Sequence, residues 1–283
     1  MRSFFSISKN PEITSLAMGK FDGVHIAHQK LFEFLDHNGC VLVIDKPNTT
    51  CITPLSLRQK LIAHPAYLLE FQKIHSWDGK DFVAFLCEKL PRLQKIVVGY
   101  DFRFGKNKNY GADDLKSLFD GEVLIVPEIK MNAIPLHSTI IRELIGFGDI
   151  ALANQLLGRH YEIFGEVVSG QNLGAKELYP TINIKTHQFV LPGNGVYASL
   201  THIDSGVFAS VCFVGNRLST DRNFSIETHL LDKKITLKAK HIGIEFVQKI
   251  RDNRHFDSLS ALKTQIGEDI AKARSLCLLD SLA

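Results

Sequence analysis

The spacing of apolar residues changes period partway along this chain, and that change limits the fold more than any other feature. Before Arg142, short apolar runs alternate with amphipathic stretches, the pattern of a parallel sheet wrapped by crossover helices. Strands are expected at 13–18, 40–44, 67–71, 95–98 and 122–126, each too short for a helix and mostly bounded by Gly, Pro or Asp. Between them, 28–37 carries Leu31, Phe32 and Leu35 on one helical face, and 81–90 carries Phe82, Phe85, Leu86 and Leu90. After Arg142 a helical stretch through Leu156 and Leu157 gives way to alternating runs at 161–169, 196–202 and 207–214. Turn residues cluster at Gly170, Gly174 and 192–195, with a short hairpin signal at Asp204, Ser205 and Gly206. This half predicts an antiparallel barrel. A last helix at 258–276 places Leu259, Leu262, Ile266, Ile270 and Ala273 on one stripe that can pack on the barrel wall. The boundary is expected near Gly158, giving domains 1–157 and 158–283.

A length of 283 residues suits two domains, each able to bury its own core. The 33 basic and 30 acidic side chains leave a net charge of +3, too even to indicate a nucleic-acid or membrane partner. Cys40, Cys51, Cys87, Cys212 and Cys277 are odd in number and scattered, with no CxxC pair and no zinc spacing. The apolar runs are far shorter than the roughly 20 residues that span a bilayer, and the start lacks a signal-peptide core. A reduced, cytoplasmic setting is expected.

Chemistry-bearing residues concentrate at 19–28, which follows the first strand and opens the first helix, the edge where open α/β sheets bind ligands. Gly19 and Gly23 permit close backbone approach, and His25 and His28, three apart, can both face a phosphate. The same pair equally fits solvated helix caps. Downstream, His137-Ser138-Thr139-Ile140-Ile141-Arg142 sets two hydroxyls and a guanidinium at a helix start, where they can cap it or hold phosphate.

MGKFDGVHIAHQ resembles the GxFDGVHxGHQ signature of bacterial FAD synthetases, the bifunctional riboflavin kinase/FMN adenylyltransferases, and HSTIIR resembles their SSTxIR signature. Between them, the segment at 98–106 is similar to the family's VGxDFxFG. The resemblance implies a Rossmann-like nucleotidyltransferase domain that takes ATP and joins AMP to the phosphate of FMN, releasing pyrophosphate. The substrate phosphate is itself the nucleophile, so the protein has to align two anions and neutralise growing charge. The implied nucleotide-binding residues are Gly19, Phe21, Asp22, Gly23, His25, His28, Ser138, Thr139 and Arg142, with His28 catalytic and Asp101 in contact with flavin. Asp101 also fits a plain turn. Ala27 stands where the family has Gly, narrowing the phosphate approach, and His137 replaces the first Ser of SSTxIR.

From Leu157 onward the chain resembles the family's riboflavin kinase module, an antiparallel β-barrel with a C-terminal helix. LLGRHY is similar to LLGRPY, YPTIN to GxPTAN, GVYA to GVYA, and IETHLLD to VExHLLD. The likeness implies that Thr181 and Asn183 contact Mg²⁺ with ATP, and that Glu227 is the catalytic base that deprotonates the riboflavin hydroxyl. An edge-strand entry for 180–183 and a solvated face for Glu227 are the plainer readings. Ala175 and Leu178 replace an expected Arg and Gly in the flap before Pro180, and 232–237 departs from the family's hairpin, with Lys176, Lys233 and Lys234 as possible substitutes in charge. The expected function is therefore riboflavin to FMN to FAD, the alternative being adenylyl transfer alone with a kinase-impaired barrel.

Overall fold

A computed structural model describes residues 1–46, 49–169, 179–204, 206–219, 221–231 and 239–280. By contacts the chain divides into compact units Met1–Ile140 and Ile141–Ala283. That division falls earlier than the expected 157/158 boundary. The segment before 158 includes α7 (Ile150–Leu157), which packs on the barrel strands at 161–168 and 241–252.

In the first unit, β1 (Arg2–Ser3), β2 (Ser15–Gly19), β3 (Gly39–Asp45), β4 (Ala66–Glu70), β5 (Lys95–Gly99) and β8 (Glu122–Val126) form one parallel sheet, while β6 (Arg103–Phe104) and β7 (Tyr110–Gly111) make a small hairpin between. The order is β1-β4-β3-β2-β5-β8. Strand alternation sends Leu16, Met18, Cys40, Leu42, Ile96 and Val98 into one core. Ala17, Val41, Val43 and Val97 point into the other. Both faces are covered, so these strands read as continuous apolar runs. The chain reverses direction across the sheet between β2 and β5, making a crevice at their carboxyl ends.

Helices α1 (Ile26–Phe32), α2 (Leu55–Leu61), α3 (Phe71–Ile74), α4 (Gly79–Lys89) and α5 (Ala112–Leu118) join the strands. Helix α1 stops well short of the expected residue 37. Asp36 explains the early end: its carboxylate accepts from the Asn38 amide, its carbonyl accepts from the Gly39 amide, and its own amide donates to Ser15 Oγ. Helix α4 begins earlier than expected because Asp78 caps the Lys80 amide. Phe71 opens α3 instead of ending β4. A second hairpin, β9 (Lys130–Met131) with β10 (Ile134–Pro135), precedes α6 (Ser138–Phe147).

The second unit is a closed antiparallel barrel of β11 (Tyr161–Val168), β12 (Ile182–Lys185), β13 (Gly195–Ile203), β14 (Gly206–Asn216), β15 (Phe224–Leu230) and β16 (His241–Asp252), in the order β11-β12-β15-β14-β13-β16. Ile203 pairs with Gly206, which places the expected hairpin, although Ser205 lies outside the described residues. So do Gly170, Gly174, Ala175, Lys176, Leu178 and 232–237. Buried Ser199, Thr201, Ser210 and Thr228 satisfy one another inside the wall through hydroxyl contacts of 2.8 Å. Helix α8 (Leu259–Asp280) packs Ala273 and Cys277 against Val196, Ala198 and Val211. The expected stripe is corrected at its start: Leu259 is exposed, and buried Asp269 joins the inner face by pairing with Arg251 at 2.8 Å. Among the described residues no helix is long and apolar enough to cross a membrane.

Candidate active site

The crevice beyond β2 and β5 opens into a cavity of about 790 Å³ within the first unit. Gly19 leaves β2 at its mouth, and a Cβ there would meet the Phe21 ring at 2.8 Å, so the turn needs glycine. Phe21, Gly23 and Val24 then adopt positive φ of 51°, 87° and 42°. Two of these are not glycine, which makes the loop costly unless its surroundings impose it. The turn delivers His25 to the start of α1. Its imidazole stacks on His28 with ring centroids 3.5 Å apart, and His28 meets Phe21 edge-on at 5.1 Å. Both histidines line the cavity, with Lys20 beside them.

Ser138 and Thr139, at the start of α6, line the same cavity. Ser138 Oγ donates to the Asp22 carbonyl at 2.7 Å, tying together two motifs 116 positions apart. Asp101 lies beyond β5 on the cavity wall with Tyr100 and Phe102. Ala27 also lines the cavity, so its methyl stands where the sequence places a narrowed approach. Of the expected nucleotide contacts, Gly19, Phe21, His25, His28, Ser138 and Thr139 are brought together.

Asp22 and Gly23 are not among the cavity-lining residues. Asp22 is buried and turned inward, where its carboxylate accepts from the amides of Ile52 at 3.0 Å and Thr53 at 3.1 Å and pairs with Arg58 at 3.2 Å. Arg142 sits farther along α6, in the second unit.

Sequence reasoning missed a cluster on the cavity rim. Tyr100 Oη donates to Glu128 at 3.0 Å and lies 3.1 Å from His137 Nε2, while Lys130 pairs with Glu128 at 2.9 Å. The Lys130 ammonium, the Tyr100 hydroxyl and His137 hold the Glu128 carboxyl down to about 2. Only the departure of His137 from the family's Ser hinted at this group.

In the barrel, Asn183 on β12 pairs in register with Glu227 on β15. Thr181, two residues before Asn183 and just ahead of β12, donates through Oγ1 to Glu227 Oε2 at 3.3 Å. The three residues expected to serve phosphoryl transfer therefore converge. His229 accompanies them, its ring 2.7 Å from the Pro180 carbonyl. Arg217, unforeseen from sequence, lies 3.5 Å from Glu227 Oε1. Two uncharged oxygens beside a carboxylate suit a hard cation that keeps most of its shell for phosphate and water.

The flavokinase family model, described as riboflavin kinase, matches residues 157–277. A bifunctional riboflavin kinase/FMN adenylyltransferase of Buchnera aphidicola subsp. Acyrthosiphon pisum is 31% identical, with 95% of each chain covered. The protein of that description from Bacillus subtilis (strain 168) is 30% identical, covering 91% of this chain and 90% of its own length. Among solved structures, a Streptococcus pneumoniae protein titled a macrolide-efflux protein is similar with a TM-score of 0.86 at 27% identity, over 97% of each chain.

Proposed function

The chain belongs to the bifunctional riboflavin kinase/FMN adenylyltransferase family, and from that premise we propose how its residues divide the work. It phosphorylates riboflavin to FMN with ATP, then adenylylates FMN to FAD with release of pyrophosphate. The observation that carries the second activity is the stacked His25–His28 pair sharing one cavity with Ser138 and Thr139.

In adenylyl transfer an FMN phosphate oxygen attacks the α-phosphorus of ATP, and the bond to the bridging oxygen of pyrophosphate breaks. No protein nucleophile is needed. His25 and His28 donate to ATP phosphate oxygens, with His28 nearest the reacting phosphoryl, and Ser138 and Thr139 hold the nucleotide from α6. Arg142 is assigned to phosphate through its motif. Phe21 and Gly19 shape the approach, and Asp101 contacts the flavin. Asp22 and Gly23 serve by shaping the loop.

In riboflavin phosphorylation Glu227 takes the proton of the ribityl 5′-hydroxyl as that oxygen attacks the γ-phosphorus and ADP departs. Thr181 orients the Glu227 carboxylate and, with Asn183, would hold Mg²⁺. When bound, that ion would offset negative charge on the ATP phosphates. The substrates are small molecules, and five free thiols fit a reduced cytoplasm.

The purified full chain, given riboflavin and MgATP, should yield FMN, FAD, ADP and pyrophosphate by mass spectrometry. Conversion of supplied FMN to FAD without any FMN from riboflavin would leave adenylyl transfer as the sole activity.

A further inference from the structure

Arg58 carries no motif and faces no solvent, yet it ties together four positions at the first unit's ligand-binding edge. On α2 it is fully buried. Its Nε donates to the Thr53 carbonyl at 2.6 Å, Nη1 to the Lys20 carbonyl at 2.9 Å and to Asp45 at 2.5 Å, and Nη2 to Asp22 at 3.2 Å. A planar guanidinium can serve all of these at once because its donors are fixed in a fork; an ammonium cannot.

The partners matter more than their number. Lys20 and Asp22 flank Phe21, so one guanidinium grips the chain on both sides of a residue in the left-handed region. Val24, β-branched and also at positive φ, immediately precedes His25. Such torsions persist only where the surroundings over-determine them. Freed from Arg58, the loop would relax, and His25 with its stacked partner would shift. Asp45, at the end of β3, lines the cavity at 5% exposure. Its carboxylate, bonded to the Lys46 amide and to Arg58, would oppose anionic substrates in that cavity, and Arg58, shared with Asp22, offsets part of its charge.

We propose that Arg58 is the positioning residue of adenylyl transfer, fixing the histidine-bearing loop through Asp22 and the Lys20 carbonyl while pairing with Asp45 at the cavity wall. This rests on the adenylyl-transfer reading of the cavity. Arg58 touches neither substrate nor reacting atoms; it acts through what it holds.

The test uses the full chain with FMN and MgATP, kcat and KM measured separately, and riboflavin phosphorylation of the same preparation as the internal reference. Arg58→Met should lower kcat for FAD formation at least 100-fold and raise KM for MgATP about tenfold, with FMN formation within twofold of wild type. Adding Asp45→Asn should return KM toward wild type while kcat stays low, a separation that general loosening of the fold would not produce. Arg58→Lys, which restores the charge without the fork, should recover KM and only part of kcat. Should Arg58→Met not fold, Asp22→Asn decides alone: a kcat loss of at least tenfold at an unchanged thermal midpoint supports the proposal, and an unchanged kcat overturns it. Folded Arg58→Met and Asp22→Asn chains with kcat within threefold of an active wild type refute the positioning role and leave the adenylyl-transfer reading standing. A wild-type chain that forms no FAD sinks that reading and the role together.

Discussion

Replacing His28 by alanine isolates the chemical contribution of the stacked pair. The imidazole is half-buried, pressed against His25 at 3.5 Å and against the Phe21 edge at 5.1 Å, so it is preorganised before any nucleotide arrives. Deleting one such donor aimed at developing negative charge typically costs about 2.7 to 4 kcal/mol of transition-state stabilisation. At about 1.36 kcal/mol per decade, that is a loss of about 10² to 10³ in kcat. The upper end is expected, because His25 loses the ring that fixes its own orientation. Substrate binding should suffer less, since Ser138, Thr139 and His25 remain. The assay follows FAD and pyrophosphate from supplied FMN and MgATP, with riboflavin phosphorylation measured in parallel. A raised KM with unchanged kcat would mean that His28 binds substrate and transition state equally, which refutes the catalytic assignment.

Glu227→Gln should abolish FMN formation and spare FAD formation from FMN, as chromatography of the flavins will show; equal loss of both contradicts the two-site assignment. Burial pushes the Cys40 thiol up to about 12 and raises Cys212 further, while Cys87 is exposed, so a thiol reagent at mildly alkaline pH should modify Cys87 in the native chain and Cys40 and Cys212 only after unfolding, as peptide mass mapping reads. Glu245 is held below its ordinary value of 4.5 by the His160 hydrogen bond first and by the charge of His202, against the opposing effect of burial. A lowered folded value means that its stabilisation is present above pH 4.5 and lost as pH falls through the folded value, so Glu245→Gln should flatten the acid side of the thermal-midpoint curve below that pH. An identical acid slope in the variant would remove Glu245 from the account.

The parallel sheet was legible because its strands are buried on both faces, so β2, β3, β5 and β8 stand out as apolar runs whatever covers them. Strand β1 was not, since two residues carry no period. Strand β16 was hidden for another reason: charged and polar residues such as Glu245, Gln248 and Lys249 interrupt its apolar alternation, and it changes register against β13. The site shows the same division. His25, His28, Ser138 and Thr139 could be read through their resemblance to the family's signatures, because their spacing by itself also fits helix caps. Arg58 could not, because LSLRQKL reads as an ordinary amphipathic helix in which an arginine belongs to the wet face. Only the crossing of β3, the signature loop and α2 turns it inward onto two carboxylates. For the same reason Asp22 looked like a ligand contact in the signature, although it faces Arg58.

The disposition of carboxylates separates the two chemistries more sharply than the motifs do. Adenylyl transfer joins two anions and needs no base, so a free carboxylate near the reacting phosphates would oppose it. In the first unit Asp22 and Asp45 are paired with Arg58, and Glu128 is paired with Lys130 and bonded by Tyr100. On the proposed reading His25, His28, Ser138 and Thr139 meet the nucleotide in a cavity whose wall also carries Lys20 and Asp101. Riboflavin, by contrast, offers a neutral alcohol whose proton must go somewhere as the oxygen attacks. The base proposed for that proton is Glu227, which strand register sets opposite Asn183 and to which the Thr181 hydroxyl donates. On the proposed division a neutral nucleophile meets a base, and an anionic one meets donors near three acids that are held in ion pairs, Asp22, Asp45 and Glu128. On the proposed reading the cation partners of those acids belong to the adenylyl site together with the histidines, so the loss of Arg58 should be felt in FAD formation and not in FMN formation.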